Sequence, residues 1–170
     1  MKSISQIIMT VIAPDRPGLV ERIASLVAHH GGNWEESRMC HLGGQFAGIL
    51  KVQIDNENQN AFLKEIDELE KEGIRVHITE DDHFGLPEED LVRMRVMTQD
   101  DKGIIREISR VLVKHQANVE ELHTELQNEP MSGMAMLVCQ VQFKLPKSGD
   151  LRQLHDDLEG LSFDLMVDFN

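Results

Sequence analysis

Two short turns in this sequence carry residue types that could bind the charged ends of a small molecule. The turns are Ala13-Pro14-Asp15-Arg16-Pro17-Gly18 and Thr98-Gln99-Asp100-Asp101-Lys102-Gly103. A helical pattern follows each turn, so free backbone N–H groups and the positive end of a helix dipole would attract a carboxylate there. Asp15 and Asp100 stand where an N-cap carboxylate accepts a bond from those N–H groups. Pro17 suits a first helical turn, and Gly18 and Gly103 let the backbone approach a ligand closely.

Two asparagines, Asn33 and Asn118, begin the strand that follows each helix. A side-chain amide both donates and accepts hydrogen bonds, so it could hold the carboxylate and the ammonium of an amino acid. A structural interpretation uses the same residues without any ligand: Asp caps, Gly turns and Asn ends a tight loop. The candidate ligand-binding residues are Asp15, Arg16, Pro17, Gly18, Asn33, Asp100, Asp101, Lys102, Gly103 and Asn118.

Both sets of residues belong to an internal repeat. Residues 9–36 recur without a gap as residues 94–121, with nine identities in 28 positions. Ordinary residue usage would give roughly two by chance. The chain is therefore one unit of about 85 residues written twice. We expect a first domain over residues 1–80, a linker over 81–90 and a second domain over 91–170.

Apolar periodicity predicts the elements that position the two turns. Alternating apolar residues predict a first strand, and an apolar stripe from Leu19 with helical spacing predicts a helix. A strand hairpin around Leu42-Gly43-Gly44 follows, then a second helix and a closing strand, Ile74–Thr79 in the first copy and Leu161–Phe169 in the second. The order β-α-β-β-α-β, written twice, predicts an α+β protein with two ferredoxin-like sandwiches. Each has an antiparallel four-stranded sheet with its helices on one face.

The other face of each predicted sheet is too apolar to be left in water. The residues that point away from the helices include Ile8, Ile12, Ala47, Ile49, Met134, Met136 and Val138. A patch of this kind usually contacts a partner surface, here another repeat or another subunit. A homo-oligomer is therefore expected.

Composition limits the classes of partner. The formal net charge is −13, from 30 acidic and 17 basic residues. Because phosphate neutralisation supplies most non-specific affinity for nucleic acids, we expect no direct binding to nucleic acid or to an anionic membrane. No apolar run is long enough to span a bilayer and no signal-peptide pattern begins the chain. Cys40 and Cys139 are not at equivalent repeat positions, which favours free thiols and a cytoplasmic location.

Metal and enzyme interpretations rest on weaker patterns. Cys40-His41 and Asp81-Asp82-His83 lack the ligand spacing of known metal sites, so neither a metal nor another cofactor is predicted. His30 and His115 end the apolar helical stripes, where a hydrogen-bonded packing role is expected. Arg16 and Asn33 resemble the arginine and asparagine pair of acylphosphatases, but the glycine-rich phosphate cradle is missing. We therefore predict no catalytic residues.

The residues of the first turn carry a family resemblance. The pattern A-P-D-R-P-G-L, then an apolar helix and G-N-W-E-E-S, resembles the ACT domain, a regulatory module that binds amino acids. A chain of two such domains resembles the glycine cleavage system transcriptional repressor family. The resemblance implies that ACT units pair side by side and bind amino acids at the seam, through the first turn and the start of the second strand. Asp101-Lys102 replaces Arg16-Pro17 in the second copy, so the first turn is the better candidate.

The predicted function is therefore a non-enzymatic regulator that senses a small amino acid, with glycine favoured by the resemblance. Its partner would be a DNA-binding transcriptional activator protein rather than DNA itself. Two alternatives stay open at this point. One is a regulatory subunit of an amino-acid biosynthetic enzyme, of the acetolactate synthase small-subunit type. The other is an enzyme of the acylphosphatase type.

Overall fold

The computed structural model describes residues 4–80, 90–99, 101–129 and 131–170. The chain divides into two compact units, Met1–Gly85 and Leu86–Asn170. That boundary falls inside the predicted linker, of which only Asp90 is described, as the first residue of a strand. The domain limits at residues 80 and 91 therefore stay predictions.

Each unit has the predicted order β-α-β-β-α-β. The elements of the first unit are β1 (Ile4–Pro14), α1 (Leu19–His29), β2 (Asn33–Leu42), β3 (Gln45–Asp55), α2 (Asn56–Leu69), a 3₁₀ turn (Glu70–Glu72) and β4 (Arg75–Glu80). Those of the second are β5 (Asp90–Gln99), α3 (Ile104–Lys114), β6 (Asn118–Asn128), β7 (Ala135–Leu145), α4 (Leu151–Glu159) and β8 (Met166–Phe169). The strands form two antiparallel four-stranded sheets, with the orders β2-β3-β1-β4 and β6-β7-β5-β8.

Each unit has its own core between the sheet and the two helices. Strands with side chains at period two and helices with an apolar stripe at period 3.6 direct their apolar residues to a common layer. In the first unit the side chains of Met9, Ile23 and Phe62 are fully buried in that layer. Val96, Phe143 and Leu154 occupy the same layer in the second unit. The predicted sandwiches with helices on one face are confirmed.

The tight β2–β3 hairpin also forms as the sequence predicts. Gly43 and Gly44 are its two turn residues, and their φ angles are +57° and +76°. Two successive positive φ angles define the turn type that matches the twist of a two-residue hairpin, and glycine adopts them without steric cost.

The closing strand of the second unit is shorter than predicted. Strand β8 begins at Met166, whereas the prediction began it at Leu161. The carboxylate of Asp164 accepts hydrogen bonds from the backbone N–H of Gln99, at 2.6 Å, and from the hydroxyl of Thr98, at 3.2 Å. These bonds hold the segment in a turn, because a side chain that bonds backbone N–H groups competes with strand pairing.

Six of the seven apolar residues predicted to point away from the helices are at least partly accessible to solvent. Ile12, Ile49 and Met134 are exposed, and Ile8, Ala47 and Met136 are half-buried. Val138 is buried and is the exception. No helix of the described residues has the length and apolar character needed to cross a membrane.

Candidate functional site

The turn between β1 and α1 ends at a glycine whose backbone is left-handed. Gly18 has a φ of +88° and occupies the N-cap position of α1, so the prediction that Asp15 is the N-cap is wrong. Pro17 precedes this cap and is not in the first helical turn, which begins at Leu19. A Cβ built at Gly18 would meet no atom within 4 Å. Glycine is therefore required here by the left-handed backbone conformation and not by the close approach of a neighbouring atom.

The start of α1 keeps its backbone donors available. Within residues 4–80, no side chain caps the helix, and its first intrahelical bond runs from the N–H of Arg22 to the carbonyl of Gly18. The N–H groups of the preceding helical residues have no intrahelical acceptor, as in every helix start. Together with the helix dipole they can bind a carboxylate.

Asp15 connects the turn to the β2–β3 hairpin. Its backbone N–H donates to the carbonyl of Gly44 at 2.9 Å. Its Oδ2 atom lies 3.5 Å from the Nε2 atom of His41, and both side chains are largely exposed. Asp15 therefore holds the turn against the hairpin, and its carboxylate stays accessible beside the helix start.

Arg16 is held by the 3₁₀ turn that precedes β4. Its Nη2 group donates to the carbonyl of Glu72 at 2.7 Å. Arg22, in the first turn of α1, donates to both carboxylate oxygens of Glu72, at 2.9 Å from Nε and 2.7 Å from Nη2. The hydrogen bond from Arg22 is the main cause of a lowered pKa for Glu72 and of a raised pKa for Arg22 itself. These two arginines fix the turn against the 3₁₀ turn that contains Glu72.

An open pocket lies over this turn. It is lined by Asp15, Arg16, Gly18, Leu19, Val20, Glu21 and Phe46. Three of the four residues predicted for the first turn are therefore brought together, and Pro17 does not line the pocket. Leu19, Val20, Glu21 and Phe46 line the pocket but were not among the candidate residues. The Gly-Gly hairpin could have indicated Phe46, because its return strand must start beside the turn.

The second turn repeats the geometry with different chemistry. Gly103 has a φ of +90° and caps α3, whereas Asp100 lies outside the described residues. Asp101 and Lys102 are exposed at the positions of Arg16 and Pro17. The carboxylate of Asp164 approaches the end of β5, and hydrogen bonds from the Ser162 hydroxyl and then from the backbone lower its pKa. Hydrogen bonds to the carboxylate of Asp164 therefore hold the start of the second turn, whereas hydrogen bonds from Arg16 and Arg22 hold the first.

The predicted asparagines lie far from the turn of their own unit. Strand β2 is parallel to β1, since both pair antiparallel with β3, so Asn33 begins β2 at the opposite end of the sheet from Asp15. Nine residue steps separate Asn33 from Leu42 at the hairpin, which at 3.3 Å per residue is about 30 Å. Asn118 begins β6 in the same way, and its amide donates to the carboxylate of Glu120 at 3.1 Å. Neither unit brings its turn and its asparagine together.

The same separation bears on the acylphosphatase alternative. Arg16 and Asn33 would have to meet over one phosphate, but they occupy opposite ends of the sheet and Arg16 is directed to Glu72.

Among the described residues no group of three or more His, Cys, Asp or Glu is placed to hold a metal ion. Asp81-Asp82-His83 lies outside the described residues. Both cysteines are free, with Cys40 exposed and Cys139 buried, and burial raises the pKa of Cys139 to about 11.

Comparison with known families identifies the first unit. Residues 5–79 match the family model of the ACT domain. The first unit is an ACT domain. The match begins one residue after the start of β1 and ends one residue before the end of β4, so it includes all the elements that hold the first turn. No curated protein matches the sequence.

Solved structures extend the likeness to the whole chain. A crystal structure of an unknown protein from Galdieria sulphuraria has a TM-score of 0.81 and 24% identity, covering 99% of this chain and 98% of that one. A crystal structure of a "putative glycine cleavage system transcriptional repressor" has a TM-score of 0.69 and 16% identity, covering 98% of this chain and 96% of that one. At these identities the likeness shows the fold alone, which is that of two ferredoxin-like units.

The first turn lies within the part of the chain that matches the ACT domain. In the first ACT unit the turn, the uncapped start of α1 and the pocket over them coincide. The second unit keeps the glycine cap but has Asp101 where the first has Arg16. The ACT fold is a regulatory fold. The pocket over the first turn is lined by charges of both signs, Asp15 and Glu21 together with Arg16.

Proposed function

We propose that this protein is a non-enzymatic regulator that senses a small amino acid and transmits the signal to a partner protein. The single observation that carries the proposal is the ACT match over residues 5–79, which includes the uncapped helix start at Gly18. Glycine is the favoured ligand and a DNA-binding transcriptional activator is the favoured partner. The likeness to a putative glycine cleavage system transcriptional repressor over 98% of the chain supports a regulatory role.

The ligand site that we propose is centred on the first turn. The helix start at Gly18 supplies N–H donors for the carboxylate of the amino acid, and Asp15 supplies an acceptor for its ammonium group. Asn33 lies about 30 Å from the turn of its own unit by strand length, so it cannot reach the same ligand. Asn33 can therefore contribute to this ligand site only from a second copy of the chain. The second turn, Asp101-Lys102-Gly103, would bind more weakly because Asp101 repels a carboxylate.

The charge of the chain supports a protein partner rather than DNA. With a formal net charge of −13, the chain has no surplus of Lys and Arg with which to neutralise DNA phosphates. A repressor with this charge has to act by binding a protein that itself holds DNA. The apolar outer face of the first unit, which exposes Ile12 and Ile49, supports the further proposal that the protein forms a homo-oligomer.

To act as a switch, the amino acid must distinguish two states of the protein. A ligand shifts an equilibrium only by its difference in affinity between the states, and a tenfold preference corresponds to about 1.4 kcal/mol. A shift from mostly inactive to mostly active therefore needs a preference of several kcal/mol. Ordering of the turn by the ligand would contribute to this preference.

Tryptophan fluorescence tests the ligand. Trp34 is the only tryptophan, follows Asn33 directly and packs partly against the first core. We expect a saturable change in its emission when glycine is titrated into the full chain up to millimolar concentrations. Serine and the branched amino acids test selectivity, and glycinamide, which lacks the carboxylate, serves as the control. An unchanged emission with every amino acid, or an equal response to glycinamide, would contradict the proposal.

A mobility-shift assay tests the partner. We expect this protein alone to leave labelled DNA unshifted. When the DNA already carries the transcriptional activator, we expect this protein to retard the complex further, and glycine should change the extent of that retardation. Reconstitution with the large catalytic subunit of acetolactate synthase examines the alternative. If activity of that enzyme became amino-acid-sensitive in the presence of this chain, the repressor proposal would be replaced by the enzyme-subunit one.

A further inference from the structure

The outer face of the second sheet contains a polar cavity that the proposed amino-acid site does not use. Its volume is about 220 Å³. The side chains that line it include Arg93, Arg95, Glu121, His123, Gln140 and Gln142. The charged side chains that line it are two arginines and one carboxylate, in a chain whose net charge is −13. His123, which also lines it, lies 4.0 Å from the carboxylate of Glu125. The cavity is therefore locally cationic on an acidic protein.

Strand register explains why these residues meet. Residues directly opposite each other in antiparallel strands point to the same face. Arg95 pairs with Gln140, which pairs with His123 on β6. Arg93 pairs with Gln142, which pairs with Glu121. The lining is thus two adjacent rows of three residues across β5, β7 and β6, all on the face away from the helices.

The first unit does not have this chemistry at the equivalent positions. Ile8 and Thr10 stand on β1 where β5 has the two arginines, and Ile49 stands on β3 where β7 has Gln140. Lys51 stands on β3 where β7 has Gln142. The first unit therefore lacks the pair of arginines on the central strand of this face. The fold does not require the arginines.

The guanidinium of Arg95 is incompletely satisfied. Its Nε atom is buried and has no hydrogen-bond partner among the described residues. Asp168 lies directly opposite Arg95 on β8, and the structure records no ion pair between these two described residues. The carboxylate of Glu121 accepts a hydrogen bond from Gln142 at 3.3 Å. A buried N–H donor without an acceptor is unfavourable, and an oxyanion in the cavity would supply one.

We propose that this cavity binds a small oxyanion, such as a phosphate group or a dicarboxylate. Arg93 and Arg95 are two residues apart on one strand face, a spacing of about 7 Å, so their planar guanidinium groups can hold different oxygens of one ligand. The amides of Gln140 and Gln142 add neutral donors between them. The cavity is smaller than the roughly 300–1,000 Å³ of sites for drug-sized ligands, which favours a ligand of few atoms.

NMR of the arginine Nε–Hε groups in the full chain tests the proposal. Inorganic phosphate and succinate are titrated separately, at constant ionic strength held with potassium chloride. We expect the resonances of Arg93 and Arg95 to shift and saturate with at least one of the two anions. Saturation by phosphate alone identifies a phosphate site, and saturation by succinate alone identifies a carboxylate site. The resonance of Arg106, exposed on α3, should stay unchanged.

Matched variants separate a specific site from a general charge effect. Arg93→Gln and Arg95→Gln should each weaken binding at least tenfold. Arg106→Gln removes the same charge elsewhere in the unit and should bind with unchanged affinity. Arg93 is exposed, so its variant is informative even if Arg95→Gln unfolds, which backbone amide spectra would reveal. The proposal is overturned if neither anion saturates, or if Arg106→Gln loses affinity as much as Arg93→Gln. Glycine titrations followed by Trp34 stay independent of this result.

Discussion

The Nε2 atom of His30 lies 2.6 Å from the Oε2 atom of Glu65 and so connects the end of α1 to α2. The second unit has the same connection, with 2.8 Å between Nε2 of His115 and Oδ2 of Asp157. Both histidine side chains are nearly buried, with 12% and 11% exposed. The hydrogen-bonded packing role predicted for the two histidines is confirmed, and each unit uses it to fix its pair of helices.

The first prediction concerns the pH dependence of the second connection. Hydrogen bonds from Lys114 and then His115 lower the pKa of Asp157 to about 2, from an ordinary value of 3.8. A depressed pKa in the folded state means that the ionised carboxylate stabilises the fold above pH 4 and loses this effect as the pH falls towards 2. We expect Asp157→Asn to lower the urea midpoint of unfolding at pH 7.

Circular dichroism at pH 7, 5, 4 and 3 measures this effect. The difference in urea midpoint between the natural chain and Asp157→Asn should be smaller at pH 3 than at pH 5. Asp156→Asn is the matched control, because Asp156 is 65% exposed and lies 3.8 Å from Nδ1 of His155. A difference that persisted undiminished at pH 3 would show that the carboxylate charge of Asp157 is not the cause.

The second prediction concerns a residue that ends α3. Gln116 has a φ of +56°, and Gly31, at the equivalent position after α1, has a φ of +67°. A left-handed backbone costs a non-glycine residue about 1–2 kcal/mol, and glycine is the usual residue at this place after a helix. We expect Gln116→Gly to stabilise the second unit by roughly 1 kcal/mol, once the extra chain entropy of glycine is subtracted. The reverse change, Gly31→Gln, should destabilise the first unit.

Urea unfolding followed by circular dichroism at 222 nm checks both variants. Gln127→Gly is a suitable control, since Gln127 is exposed on β6, where the backbone is extended. This control should lose stability, because glycine weakens a strand. If Gln116→Gly lost stability as well, relief of left-handed strain would not be the dominant effect.

Much of the fold could be predicted from local patterns. The alternation through Met9 and Val11 and the helical stripe through Ile23 are repeated in the second copy, and each copy therefore supports the other. Periodicity reports which side of an element is buried, and burial decides the layers. The start of β8 could not be predicted in this way, because the bonds from Asp164 to the end of β5 join residues 65 and 66 positions apart.

The site was predictable in part, for a topological reason. Asp15, Arg16 and Gly18 are neighbours in sequence and therefore share one pocket. The relation of Asn33 to that turn depends on strand direction: β2 runs parallel to β1 and starts at the far end of the sheet. The cationic cavity could not be predicted, because alternation alone indicates only that Arg93 and Arg95 share the solvated side of a strand. The pairing of three strands is what brings them to Gln140 and Gln142.

The third prediction concerns the glycine that caps α1. Gly18 has a φ of +88°, and a Cβ at this position would have no atom within 4 Å, so a substitution there costs backbone strain without a clash. We expect Gly18→Ala to destabilise the first unit by about 1–2 kcal/mol. Gly18→Asn should be less destabilising, because asparagine tolerates a left-handed backbone better.

Thermal and urea unfolding give the stability of these variants, and Trp34 fluorescence gives their affinity for glycine. If the helix start binds the carboxylate, Gly18→Ala should weaken glycine binding and Gly18→Asn should bind more tightly than Gly18→Ala. Equal destabilisation by both variants would indicate that contacts rather than backbone conformation decide the residue at this position.

The fourth prediction separates a ligand role of Asn33 from a structural one. Asn33 is exposed at the first position of β2, so its side chain contributes little to the core. We expect Asn33→Ala to change the free energy of unfolding by less than about 1 kcal/mol, as is usual for surface substitutions. In the proposed site the side-chain amide of Asn33 bonds the ligand directly. Its removal leaves a charged group of the ligand without a hydrogen-bond partner, so the affinity for glycine should fall about tenfold.

Asn33→Asp and Asn60→Ala complete this test. Asn33→Asp keeps the size of the side chain but removes its donors and adds a charge, so it should weaken binding at least as much as Asn33→Ala. Asn60→Ala removes an exposed amide from α2 and should leave the affinity for glycine unchanged. Because Trp34 adjoins the substituted residue, calorimetry rather than fluorescence should measure these affinities. A large loss of stability in Asn33→Ala with unchanged affinity would establish that Asn33 only begins the strand, and the turn alone would then have to bind the amino acid.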